Sequence, residues 1–349
     1  MGLIYSLMDK VAALFLFISL LLFLPPLYLF KFINSFLSSR FPENLTNKVV
    51  LIVGASSGIG EHLAYEYAKR GALLVLVARR KNSLRDVAKM AEDIGSPGVL
   101  AIPADYTKPD ECQRFIDTTI QNFGRLDHLV NVAGVVALPL FEEMADPFHF
   151  QALMDVNFWG PVYTTYFALP HLKRSRGRIV GVTSFSAYTN IPRMTMYNAS
   201  KGAVRNFYHT LRIELGADID ITEIIPGVIE SELTKGKIFT EEGRLEVDQD
   251  LRDASLGIVP IERTKAFAHA VVERVRSGAR WVLEPPWYIG LYYIRVLIPE
   301  VAEWGMRLLY VTPPGVPATE DLAKKLADLP FVKEILYPPS VRSPEIKRD

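Results

Sequence analysis

From Val49 onward, short apolar runs alternate with longer amphipathic stretches, and this alternation restricts the chain to a parallel sheet with helices on both faces. Strands are expected at Val49 to Val53, Leu73 to Ala78, Val99 to Pro103, His128 to Asn131, Arg178 to Thr183, Ile219 to Ile225 and Trp281 to Glu284. Helices are expected near Ile59 to Arg70, Ser83 to Ile94, Pro109 to Phe123, Phe148 to Lys173, Met196 to Leu215 and Thr264 to Ser277. One continuous series of this kind is a single doubly wound α/β domain, although 349 residues would also accommodate two. No repeat with a period of 20 to 50 residues interrupts it.

Two segments stand outside the series. Glu232 to Glu262 is a long insertion, of the kind that forms a substrate lid or a disordered connection. Pro285 to Val311 is rich in Trp, Tyr, Leu and Ile, and reads either as helix packed on the domain or a second subunit, or as a membrane-resting face near a pocket mouth. The last dozen residues are expected to be disordered.

Val11 to Phe30 carries no charge and is just long enough to cross a bilayer core. It is too long, and lacks the small-residue site, for a cleaved signal peptide. Pro25 and Pro26 should break or kink its helix after Leu24, leaving either a tilted span or an element that enters one leaflet and turns back. Lys and Arg number 39, as do Asp and Glu, so nothing electrostatic argues for nucleic acid. The single Cys112 excludes an intrachain disulfide, and the six histidines show no metal-binding spacing, so no metal is expected.

The first strand runs into Gly54-Ala55-Ser56-Ser57-Gly58-Ile59-Gly60 and then a helix. Glycines there allow a sharp turn and close approach to a pyrophosphate, while the helix start offers free amide donors. The second strand ends in Arg79-Arg80-Lys81, where a site for unphosphorylated ribose would place an acid; basic residues instead suit the 2′-phosphate of NADP. Asp105, after the third strand, is a candidate adenine contact or simply a turn former. Asn131, Ala133 and Gly134, at the end of the fourth strand, are small enough for backbone to lie against the cofactor.

Tyr197 and Lys201 lie four apart on an expected helix and so share a face. A free tyrosine, with a pKa of about 10, exchanges protons poorly near neutrality, and a neighbouring ammonium favours its phenolate. Lys201 would supply that charge and hold the ribose, Ser184 would hydrogen-bond the substrate oxygen, and Asn157 would support a water that exchanges protons with solvent.

With these residues in this order, the chain resembles the short-chain dehydrogenase/reductase family over roughly Leu45 to Pro285. Gly54, Gly58 and Gly60 match its glycine motif, and Asn157, Ser184, Tyr197 and Lys201 match its catalytic tetrad. Pro226-Gly227 and Ser231 match the stretch that contacts the nicotinamide end, whereas Val132 stands where many members have a second Asn. The resemblance implies a Rossmann-type sheet of about seven strands. More narrowly, Asn157-Phe158-Trp159-Gly160, Pro192-Arg193-Met194 and the Trp/Tyr-rich tail are similar to the 11β-hydroxysteroid dehydrogenases and most of all to the plant steroleosins. That similarity implies NADP-dependent oxidation or reduction of a steroid-like alcohol at a lipid surface.

The expected organisation is an anchor over 1–40, a dehydrogenase domain over 41–285 and an apolar extension with a tail over 286–349. A homodimer is expected. The alternatives are a reductase of a retinoid or long-chain keto compound, or a non-catalytic lipid-droplet scaffold. Lys31, Arg40 and Lys48 after the apolar run outnumber Lys10 before it, which puts the catalytic domain on the cytosolic side of endoplasmic reticulum or lipid droplets. Of two glycosylation triplets, Asn44-Leu45-Thr46 and Asn198-Ala199-Ser200, the second would place a glycan between Tyr197 and Lys201, which argues the same way.

Overall fold

The computed structural model describes residues 2–144, 146–240, 244–313 and 315–342. Seven parallel strands form the sheet: β1 (Val49–Val53), β2 (Leu73–Ala78), β3 (Val99–Pro103), β4 (His128–Asn131), β5 (Arg178–Val182), β6 (Asp220–Pro226) and β9 (Trp281–Glu284), in the spatial order β3-β2-β1-β4-β5-β6-β9. A separate antiparallel hairpin, β7 (Lys237–Phe239) and β8 (Leu245–Val247), lies in the insertion.

Every side chain of β1 is buried, as required of a central strand covered on both faces. Because successive side chains point to opposite faces, β1 serves two cores at once. Val50 and Ile52 join Leu74 and Leu76 under α2 (Gly58–Ala68), α3 (Lys81–Ile94) and the later helix Thr264–Arg276. Val49, Leu51 and Val53 join Val75 and Val77 under α4 (Pro109–Phe123) and the helices Gly160–Ser175 and Thr195–Leu215. The chain leaves β1 for β2 on one side and reaches β4 on the other, so the direction of winding reverses between β1 and β4. The crevice at their carboxyl ends is where a doubly wound sheet binds ligand.

The expected helix over Phe148 to Lys173 is divided. Gln151–Met154 (α5) is followed by a wide π-turn at Asp155–Trp159 and then Gly160–Ser175 (α6). The extra residue in the turn lets Asn157 reach inward, a bonding pattern that hydrophobic periodicity does not reveal. The N-terminal helix α1 (Gly2–Arg40) is likewise not broken after Leu24, and continues through Pro25 and Pro26. The two prolines delete only two N–H donors, and the Leu- and Phe-rich run on either side retains the remaining ladder. Within its apolar span, Ile4–Ile33, an 18-residue window has a mean hydropathy of 2.4 and contains no buried residue.

The insertion is folded where it is described: the β7–β8 hairpin is followed by α9 (Gln249–Leu256), which packs under the C-terminal segment. The start of the expected disordered tail is folded too. Val341 is fully buried, and its carbonyl accepts from Arg252 at 3.0 Å, because the extension wraps back onto α9 and closes a small core of Leu256, Ile261 and Tyr337. Residues 343–349 lie outside the described residues.

Candidate active site

A cavity of about 670 Å³ opens at the carboxyl ends of β1, β4, β5 and β6. Its floor is the glycine turn. A side chain at Gly60 would place Cβ 2.1 Å from Gly54 O, and one at Gly54, where φ is +95°, would meet Ala133 at 2.7 Å. Only bare backbone therefore fits between β1 and the start of α2. Ser57 precedes that helix in an extended conformation and makes no side-chain cap bond, so its first amides are not capped by that hydroxyl. This cradle suits the pyrophosphate of a dinucleotide.

Ser56, Ser57, Ile59, Arg79, Arg80, Ala133, Gly134, Ser184, Tyr197, Lys201, Pro226, Gly227 and Ser231 line the same cavity, together with Gly54, Gly58 and Gly60. Three expected site residues do not. Asp105 accepts from Thr107 N (3.1 Å) and Thr107 Oγ1 (2.8 Å), the geometry of a turn former, and its neighbour Tyr106 takes the place in the wall. Asn131 points into the helical layer, where its amide donates to Tyr208 Oη (3.1 Å) and its carbonyl accepts from Thr164 Oγ1 (2.9 Å). Asn157 is 1% exposed and fully engaged: Nδ2 donates to Val135 O (2.9 Å) and Ser200 Oγ (3.0 Å), and Oδ1 accepts from Val135 N (2.9 Å). It pins the segment that follows β4 against the helix carrying Tyr197. Gly134 is small for a related reason, since a Cβ there would crowd Lys201 Nζ at 3.2 Å and Asn157 Oδ1 at 3.3 Å.

Tyr197 and Lys201 project from α8 (Thr195–Leu215), the helix that follows the one-turn α7 (Ser186–Thr189). The ammonium lies 5.8 Å from the Tyr197 ring centre and donates to Val182 O at 3.3 Å. Burial lowers Lys201 to about 8. Burial also raises the Tyr197 phenol above its ordinary value, and a hydrogen bond with Ser184 opposes that rise. Desolvation thus dominates both groups, and the Ser184 hydrogen bond favours the phenolate. Ser184 Oγ is itself oriented by Ser186, accepting from its amide at 3.2 Å and its hydroxyl at 3.0 Å.

The upper wall comes from α11 (Tyr288–Leu297) and α12 (Pro299–Tyr310), preceded by α10 (Thr264–Arg276) and β9. Tyr288 is wedged over Gly227, where a Cβ would lie 2.3 Å from its ring; its hydroxyl accepts from Val228 N at 3.0 Å, and its ring meets Phe185 at 4.6 Å. Leu291, Met306 and Tyr310 complete an apolar end, while Trp287, Tyr293, Leu297 and Trp304 on the outer side are exposed. The wall residues Tyr288, Met306 and Tyr310 were not singled out from the sequence, although the aromatic density of their segment was. Glu232 and Lys237, also in the wall, were missed because the insertion has no regular pattern.

This combination of sheet, glycine turn and Ser-Tyr-Lys cluster defines an oxidoreductase. The chain belongs to the short-chain dehydrogenase family, whose model matches residues 48–242. It is 51% identical to 11-beta-hydroxysteroid dehydrogenase 1A of Arabidopsis thaliana and 49% identical to 11-beta-hydroxysteroid dehydrogenase A of Sesamum indicum, in each case over 100% of both chains. Among solved structures, it resembles a short-chain dehydrogenase/reductase of Burkholderia phymatum in complex with NAD (TM-score 0.66, 22% identity, 74% of this chain and 96% of that one). It also resembles an alcohol dehydrogenase of Thermococcus sibiricus complexed with 5-hydroxy-NADP (TM-score 0.56, 26% identity, 68% and 95%).

Proposed function

We propose that the protein is an NADP-dependent oxidoreductase that interconverts a hydroxyl and a carbonyl on a steroid-like substrate at a membrane or lipid-droplet surface. The carrying observation is one cavity with a phosphate cradle and two arginines at one end, Ser184, Tyr197 and Lys201 at its centre, and Leu291, Met306, Tyr288 and Tyr310 at the other end. NADP would supply or accept the hydride. Tyr197 would exchange a proton with the substrate oxygen, Ser184 would hydrogen-bond that oxygen, and Lys201 would hold the ribose. Asn157 acts through Val135 and Ser200, holding the cavity wall and the catalytic helix in register. The names of the plant relatives support a steroid-like substrate.

The exposed apolar length of α1 supports anchoring. Thirty residues span roughly 45 Å at 1.5 Å each, more than a hydrocarbon core of about 30 Å, so the helix would tilt or extend into the headgroups. A cytosolic catalytic domain is supported by Asn198, whose amide donates to Ile191 O at 2.8 Å, a bond that a glycan on that nitrogen would disturb. Hydride transfer from stereospecifically labelled NADPH to a panel of steroid, retinoid and long-chain ketones tests the reading. Transfer to steroid ketones supports it, and transfer only to the other lipids redirects the substrate.

A further inference from the structure

The cavity wall beside the glycine turn already contains an anion. Arg80, at the end of β2, directs Nη2 to Ser57 Oγ (2.6 Å) and Ser56 Oγ (3.1 Å), and Nη1 to Glu232 Oε1 (2.5 Å). The second carboxylate oxygen of Glu232 accepts from Lys237 Nζ at 3.0 Å. All five residues line the cavity, and the charged ones are largely but not wholly buried, at 18%, 16% and 24% side-chain exposure for Arg80, Glu232 and Lys237. Burial pushes the Glu232 carboxyl upward, but the bonds from Arg80 and Lys237 outweigh it and hold the group below its ordinary value. Two cations that share a carboxylate, one of them also bonded to two serine hydroxyls, make the donor set of a phosphate site, with the protein's own acid in the anion's place.

We propose that Glu232 is an internal stand-in for the 2′-phosphate of NADP, displaced from Arg80 and Lys237 when the cofactor binds. The inference rests on the NADP reading above and deepens it, since it names the residue that sets how strongly the 2′-phosphate is selected. NAD brings no anion to this position, so it gains nothing from the two cations while Glu232 occupies them. NADP gains them only by exchange, and the carboxylate lowers its affinity without lowering that of NAD.

The test is fluorescence titration of the detergent-solubilised full chain with NADPH, NADH and 2′,5′-ADP, a probe that carries the 2′-phosphate without the nicotinamide. Glu232→Gln keeps the side-chain shape and removes the charge. It should tighten NADPH and 2′,5′-ADP by about tenfold, the scale expected when one competing charge-assisted pair is removed, and leave NADH within about twofold. Glu232→Ala should change affinities in the same direction, so a folding defect in one variant leaves the other to decide. Unchanged or weaker NADPH binding in the folded variants overturns the proposal. So does weaker NADH binding with NADPH unchanged, which would make Glu232 an acceptor for ribose hydroxyls. The wild-type protein tests the underlying reading separately: equal affinity for NADH and NADPH, with no binding of 2′,5′-ADP, refutes NADP selectivity before any variant is compared.

Discussion

Replacing Asn157 by Ala isolates what the π-turn is for. The side chain makes three hydrogen bonds in a site that is 1% exposed, and two of them satisfy both backbone groups of the buried Val135. Ser200 keeps its bond to Tyr197 O at 2.8 Å, so its loss is small. The Val135 amide and carbonyl are left without that partner, at roughly 1 to 3 kcal/mol each. The expected destabilisation is therefore about 3 kcal/mol, read by urea unfolding of the solubilised full chain, and turnover should fall as Gly134 and Val135 shift against Lys201. Asn157→Asp should not rescue stability. Its second oxygen would face the Val135 carbonyl and a Ser200 hydroxyl already donating elsewhere. A loss under about 0.5 kcal/mol for Asn157→Ala would refute the buttress role and return Asn157 to a purely water-holding one.

Tyr197→Phe should retain nucleotide affinity yet lose at least about 100-fold in turnover, because the proton-exchanging hydroxyl goes with little change in ring volume; a variant keeping a tenth of wild-type kcat would contradict the assignment. Glu262, raised to about 7 by burial and by the adjacent Glu284 carboxylate, should make stability pH-dependent. The folded chain keeps its proton where the unfolded chain has released it, so stability falls as pH rises from about 4.5 through about 7. Glu262→Gln should remove that fall and be more stable above pH 7.5 by about 1 kcal/mol, discounted for partial solvent screening; identical melting profiles for variant and wild type across this range would refute the coupling. Deleting residues 1–40 should abolish membrane sedimentation without lowering the melting temperature, since the apolar span of α1 buries nothing in the domain. Continued sedimentation would assign attachment to the exposed face of α11 and α12.

The inner strands were legible because a short run buried on both faces is met most cheaply by Val, Ile, Leu and Ala; β1, VVLIV, is the plainest case, whereas the edge strands β3 and β9 are only partly buried. The catalytic cluster was legible for a different reason: Tyr197 and Lys201 act from one helix face, so their chemistry is written at local spacing. What escaped the sequence depends on residues distant along the chain. Whether Asn131 faces cofactor or core is decided by Tyr208, 77 positions away, and whether Arg80 is a solvated strand end or part of a phosphate site is decided by Glu232, 152 positions away.

That dependence on distant partners also separates the glycines from one another. Gly54 and Gly60 answer to each other and to Ala133 within one turn and its neighbouring strand, and a strand-glycine-helix pattern is enough to identify them. Gly227 instead makes room for the ring of Tyr288, from a segment beyond the last strand of the sheet. The substrate end of the cavity is therefore built from the part of the chain whose sequence carries least periodic information, while the cofactor end is built from the part that carries most. On the proposed reading, β1, β2 and α8 hold the hydride chemistry constant, and α9, α11 and α12 are left to fit an apolar substrate.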